Sequence, residues 1–172
     1  MPFTPLHMGP GLMIKALTGD RFSILSFGVA QVAMDIEPLI GMVRGSFRLH
    51  GPTHTYLAAL IIAGLVALVS QNICRPILRR WNHELSFCHL DWLITHEPFS
   101  QGAVIMGTFI GAFSHVALDS IMHIDITPLA PWSNNNGLLG IISGEALHQW
   151  CIGAGLFGIF WWVAIHWHKR QD

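Results

Sequence analysis

Charge is what this sequence has least of. Asp, Glu, Lys and Arg make up 11% of its 172 residues, against about 25% in an ordinary soluble domain. Apolar residues supply 52% of the chain, so lipid rather than water is the expected solvent. Charge of one sign is missing too: the formal net charge is -1 and the nine Lys and Arg residues are scattered, which excludes the basic field that nucleic-acid binding needs. Cysteine is scarce, with Cys74, Cys88 and Cys151 only and no C-x-x-C. A disulfide framework and a thiolate zinc ribbon are therefore excluded, and the cysteines read as small apolar residues. The segment Met1 to His7 has neither a basic n-region nor a small-residue cleavage site, so no removable signal peptide is expected. No repeat or low-complexity tract is visible.

What the chain does have is long apolar runs. Tyr56 to Cys74 holds no charge and, at 1.5 Å per helical residue, covers about 28 Å, close to the roughly 30 Å of a hydrocarbon core. Ala146 to His168 is free of Asp, Glu, Lys and Arg, carries Trp150, Trp161, Trp162 and Trp167, and ends at Lys169-Arg170. That is the aromatic, then cationic, anchoring of a membrane span. Phe22 to Ile40 and Gly102 to Ile124 are long enough to span but contain carboxylates or histidines. Leu6 to Leu17 is shorter and interrupted by Gly9-Pro10-Gly11, which predicts a broken or re-entrant helix. The expected fold is an all-α polytopic membrane bundle, four strong transmembrane helices plus that N-terminal piece, in one integral-membrane domain over residues 1–172. Arg75 to Gln101, mixed in charge and rich in Trp, His and Pro, reads as a loop with a short interfacial helix. Lys15, Arg21, Arg75, Arg79, Arg80, Lys169 and Arg170 fall on one side and Arg44 and Arg48 on the other. The positive-inside rule puts the first set in the cytoplasm and linkers 43–55 and 125–137 outside.

The chemistry lies in the interrupted spans. His115, Asp119 and His123 recur every four residues, about 400° of helical rotation, and so share a face. His50-Gly51-Pro52-Thr53-His54 repeats that spacing, with Pro52 in the first turn of a helix. Asp35-Ile36-Glu37-Pro38 sets two carboxylates beside a proline expected to kink or end its helix. An Asp at the centre of a membrane helix costs about 2.5 to 3.5 kcal/mol, so Asp35 and Asp119 call for a partner. A divalent cation would stabilise both, since imidazole nitrogen and carboxylate oxygen are ligands for zinc and related metals. The alternative is an interhelical hydrogen-bond network without metal. His83, His89, His96, His166 and His168 read as polar residues at headgroup level. Asp125 and Asn134-Asn135-Asn136 read first as turn chemistry and second as substrate contacts. Glu145-x-x-His148 is either a pair of further ligands or a self-satisfied pair.

Met1-Pro2-Phe3-Thr4-Pro5-Leu6-His7-Met8-Gly9-Pro10-Gly11, Asp35-Ile36-Glu37-Pro38, His50-Gly51-Pro52-Thr53-His54-Thr55 and Ser114-His115-Val116-Ala117-Leu118-Asp119-Ser120-Ile121-Met122-His123, taken in order, resemble the prokaryotic membrane-bound metal-dependent hydrolases. These are the YdjM-like, LexA-regulated inner-membrane hydrolases. The likeness covers residues 1 to about 145. The chain departs from the family pattern at Met34-Asp35-Ile36-Glu37-Pro38 and at Gly51, where the family has Arg, so the phosphate contact that the resemblance implies for that Arg has no counterpart at Gly51. More distantly, the order His7, Asp35, His54, His115-x-x-x-Asp119, His123 is similar to that of zinc-dependent phospholipases C and nucleases of the P1 type. In those enzymes the last ligands come as His-x-x-x-Glu, whereas this chain has Glu145-x-x-His148.

The resemblance implies an inner-membrane hydrolase that cuts a phosphoester or similar bond of a lipid-like substrate. His7, Asp35, His54, His115 and Asp119 would hold one or two divalent ions, zinc first among them. His123 would be a further ligand or an orienter, and Glu37 or His50 would take the proton, with the site toward the outer face. A divalent-metal or proton transporter is the alternative from another class, since intramembrane His and Asp also build conduction paths. A non-catalytic, metal-stabilised membrane protein is the third.

Overall fold

The computed structural model describes residues 5–47, 49–94 and 100–169. His96, Arg48 and Arg170 lie outside them. The described residues form helices and turns only: a 3-10 turn at Pro5–His7, then α1 (Met8–Thr18), a turn at Gly19–Arg21, α2 (Ile24–Val43), a turn at Pro52–His54, α3 (Tyr56–Phe87), a turn at Asp91–Leu93, α4 (Gln101–Met122) and α5 (Gly144–Lys169). α2, α3, α4 and α5 are each long and apolar enough to cross a membrane. The protein is thus an all-α bundle with the build of a multi-pass membrane protein.

Local chemistry starts these helices where the sequence turns apolar. Ser23, Thr55 and Ser100 are N-caps whose side chains accept the backbone N–H groups of Ser26, Ala58 and Ala103, which satisfies donors that the first helical turn leaves free. α1 is continuous through Gly9-Pro10-Gly11. Its proline stands in the first turns, where a missing N–H is tolerated, so the expected break does not occur. At 11 residues α1 covers only about 16 Å and does not cross a hydrocarbon core. Pro38 does not end α2, which runs on to Val43; what it removes is one N–H, that would have bonded to the Met34 carbonyl. The charged stretch after Cys74 is not a loop. α3 carries on through Pro76 to Phe87, 32 residues or about 48 Å, and so takes Arg75, Arg79 and Arg80 beyond the apolar span.

α2, α3 and α4 pack as a trio, and α1 packs along α5. In lipid, apolar contact alone does not drive helices together, so small residues that let backbones close in matter more. At Gly107 a Cβ would overlap the Ser23 carbonyl, and at Gly9 it would overlap the Cys151 carbonyl. Met34, Ala30, Ala59, Ala63, Val66, Ala112 and Val116 fill the centre of the trio. Leu118, Leu147 and Cys151 join α4 to α5, with Leu6, Ile121 and Met122 packed around them. Since α1, α3 and α5 run one way and α2 and α4 the other, one end of the bundle gathers His7, His54, Glu145 and His148 from helix starts and Asp35, His115 and Asp119 from late turns.

Candidate metal centre

Asp35, His54, His115 and Asp119 converge at that end, all four buried, with one potential ligand atom from each inside a sphere in which no two lie more than 4.8 Å apart. His115 Nε2 lies 3.1 Å from Asp119 Oδ2, 3.3 Å from Asp35 Oδ1 and 3.3 Å from His54 Nε2. His54 Nε2 is 3.5 Å from Asp119 Oδ2. Nitrogen and oxygen ligands held at about 2.0 to 2.2 Å around a tetrahedral ion are spaced about 3.3 to 3.6 Å apart. A network of direct N–H···O bonds would close to roughly 2.7 to 3.2 Å. Most of these separations belong to the first class.

The outer nitrogens of the two rings explain which atoms face inward. His115 Nδ1 lies 2.6 Å from Gln31 Oε1, and since the amide oxygen can only accept, Nδ1 carries a proton and Nε2 is the nitrogen left to take a metal ion. Gln31 is itself anchored, its Nε2 donating to the Gly111 carbonyl at 3.1 Å and to Ser114 Oγ at 3.3 Å. His54 Nδ1 sits 3.1 Å from Thr53 Oγ1. The Thr53 hydroxyl donates to Glu37 Oε2, which also accepts the Thr53 backbone N–H at 3.0 Å. Both imidazoles are thus oriented by a neighbour behind them, as metal-bound imidazoles generally are.

This placement bears on three sequence expectations. Glu37 stands behind His54, 4.0 Å from its Nδ1, where it clamps the Pro52–His54 turn and orients His54 through Thr53. Its carboxylate also occupies the space that a side chain at Gly51 would need. An Arg there would have to displace it. His123 does not continue the face of His115 and Asp119. α4 ends at Met122, and His123 adopts an extended backbone (φ -113°, ψ 123°) while its N–H closes on the Asp119 carbonyl at 2.8 Å, so its ring turns elsewhere. It lies against His50, ring centroids 4.2 Å apart, and with His50 and Asp125 forms a second group of ligand-type residues. Asp125 is more than a turn residue: Oδ1 is 2.9 Å from His50 Nδ1, and Oδ2 accepts the backbone N–H groups of Leu49 and His50 at 3.3 and 3.1 Å.

His7 is brought to the cluster, with Nε2 3.6 Å from Asp119 Oδ1. Neither of its ring nitrogens has a hydrogen bond among the described residues. Burial lowers its pKa to about 4; Asp119 pulls the other way and His115 adds to the lowering. The ring is therefore neutral at physiological pH, the form a metal ligand requires. Glu145 and His148 separate. Glu145 is exposed and accepts from Gln149 Nε2 at 3.4 Å, whereas His148 Nε2 is buried without a hydrogen bond among the described residues. Asn136 caps the end of α4, Nδ2 donating to the Ser120 and His123 carbonyls at 2.8 and 3.4 Å.

Gln31 and Thr53 are the site neighbours to which residue patterns gave no role of their own, and Asp125 was read only as turn chemistry or a substrate contact. Gln31 left one signal, a polar residue four positions before Asp35 within an apolar run. Fold and site together define a polytopic helical membrane protein with a buried His/Asp cluster able to hold a metal ion. No family model, curated protein or solved structure matches the chain.

Proposed function

We propose that this protein is a membrane-embedded, metal-dependent hydrolase whose zinc ion is held by Asp35, His54, His115 and Asp119. The observation that carries the proposal is the set of four ligand-type atoms, drawn from α2, α3 with its leading turn, and α4, at 3.1 to 3.5 Å contacts with both rings oriented from behind. A zinc ion bound there would supply Lewis acidity and lower the pKa of a bound water. Asp35 and Asp119 supply negative charge to balance it, His54 and His115 supply neutral nitrogen, and His7 adds a neutral imidazole beside Asp119. The buried surroundings strengthen each of these electrostatic contacts by excluding water.

A phosphoester or similar bond of a lipid-like substrate is the target that suits a polar centre buried among lipid-facing helices, and membership of the YdjM-like inner-membrane hydrolases fits the ordered motifs. Lys15, Arg21, Arg75, Arg79 and Arg80 lie at the far end of the bundle from the cluster, which supports a site toward the outer face. Transport is the second reading: beside the apolar residues Met34, Ala30, Ala63, Val66, Ala112 and Val116 the interior also buries Ser23, Ser26, Ser70 and Thr108, polar groups of the kind a conduction path uses. Zinc flux into sealed vesicles decides between the two.

The test uses full-length protein purified in detergent. Zinc content is measured by elemental analysis, and release of a soluble headgroup or of phosphate is followed on mixed phospholipid vesicles and on a chromogenic phosphodiester. Zinc-dependent turnover that disappears in Asp119→Asn supports the proposal. Bound zinc without turnover on any ester, or zinc flux into sealed vesicles that depends on His115, overturns it.

A further inference from the structure

We propose that His50, His123 and Asp125 form a second, open divalent-cation site beside the four-residue cluster. The three residues come from separate pieces of chain, the linker before α3 and the segment just after α4, yet their ligand atoms lie within 4.8 Å of one another. Two features say that the grouping is built for a ligand rather than left by chance.

The first is an orphan. His123 Nε2 is buried with no hydrogen-bond partner among the described residues, although the ring lies against that of His50, centroids 4.2 Å apart and planes tilted by 34°. Burying such a lone pair or N–H without a partner costs about 1 to 3 kcal/mol. A cation that accepts the nitrogen as a ligand removes that cost. The second is the scaffold around it. Asp125 is fixed by two backbone N–H groups on Oδ2, which leaves Oδ1 directed at the His50 ring at 2.9 Å. Asn136 holds the His123 carbonyl at 3.4 Å. The carboxylate and the His123 backbone are thus held in place by groups that take no part in binding.

The two groups differ in kind. The inner one supplies four buried residues, while the outer one supplies three, two imidazoles and one carboxylate, with the Asp125 side chain 24% exposed. Three protein ligands and a partly exposed face leave a coordination position open to water. His50 joins the two, its ring 4.8 Å from that of His54. The outer ion is therefore the exchangeable one, and a zinc, cobalt or manganese ion is the class of cation that this nitrogen and oxygen set takes. Because the outer site shares no ligand with the inner one, it stands or falls separately from the proposed activity.

The experiment is a titration of chelator-treated, full-length protein in detergent with zinc alone, read by calorimetry and by elemental analysis after desalting. Wild type is expected to bind two ions of unequal affinity. His123→Ala and Asp125→Asn each remove the weaker one and leave the tighter one, and His115→Ala does the reverse. Helical circular dichroism and gel-filtration position confirm that each variant is folded; His123→Gln stands in for His123→Ala where the latter misfolds. Wild type with a single ion that His123→Ala leaves unchanged overturns the second site while sparing the inner one. Wild type with no ion overturns both.

Discussion

Replacing Asp119 with Asn keeps the shape of a side chain that is 4% exposed and removes its charge. Asp119 is the hub of the cluster, in reach of His115, His54 and His7 at 3.1, 3.5 and 3.6 Å, so the loss is felt by every imidazole there. Removing one member of a buried charge pair costs about 3 to 5 kcal/mol. At 1.4 kcal/mol per factor of ten, zinc affinity should fall roughly a hundredfold to several thousandfold. The effect is readable as stability. With free zinc at about 100 times the wild-type Kd, mass action stabilises wild type by about 2.7 kcal/mol, and a Kd weakened a hundredfold leaves only about 0.4 kcal/mol. The seven tryptophans provide the fluorescence for thermal unfolding in detergent, with and without chelator. The expected result is a zinc-dependent rise in Tm for wild type that nearly vanishes in Asp119→Asn, the chelated proteins both being folded. If Asp119→Asn keeps the wild-type zinc content and the full rise in Tm, the cluster is a hydrogen-bond network and not a metal site.

Gln31→Leu should weaken zinc binding about 10- to 100-fold by freeing the His115 ring, as loss of a residue behind a ligand generally does. Gln31→Glu, which keeps the acceptor, should restore most of it in the same titration. Gly107→Ala should lower the thermal midpoint, since its Cβ would overlap the Ser23 carbonyl and overpacking costs about 1 to 3 kcal/mol. Gly64→Ala, with nothing within 4 Å of its added Cβ, should leave the midpoint unchanged or raise it. His7 is neutral in the fold down to about 4, from an ordinary value of 6.5, so the unfolded chain takes up its proton first as pH falls. In chelator-treated protein, the contribution of His7 to stability should therefore be full above that ordinary value and decline through the window below it. His7→Gln should flatten the decline, as measured by unfolding at stepped pH.

Periodicity and cost made the inner site legible. His115 and Asp119 had to share a face because four residues return a helix nearly to its starting angle, and Asp35 and Asp119 drew notice because carboxylates in apolar spans require partners. Four membrane-length helices followed from run length alone, since a hydrocarbon core has a fixed thickness. Where charge began after Cys74 the same logic misplaced an end: charge marks the edge of the lipid, not the end of the helix, and α3 runs on to Phe87.

Three things needed tertiary structure. The point at which α4 stops, one residue before His123, turns that ring away from Asp119 and toward His50, and no spacing rule contains it. That Glu37 clamps the turn carrying His54 shows only once the two segments meet. Asp125 and Gln31 acquire their roles only from residues about 75 and 84 positions away. The sequence by itself determined which residues lipid would not tolerate alone. Which of them meet was decided by helix ends and backbone contacts, because a ligand set depends on distances of a few ångströms between segments whose order along the chain says nothing of how closely they pack.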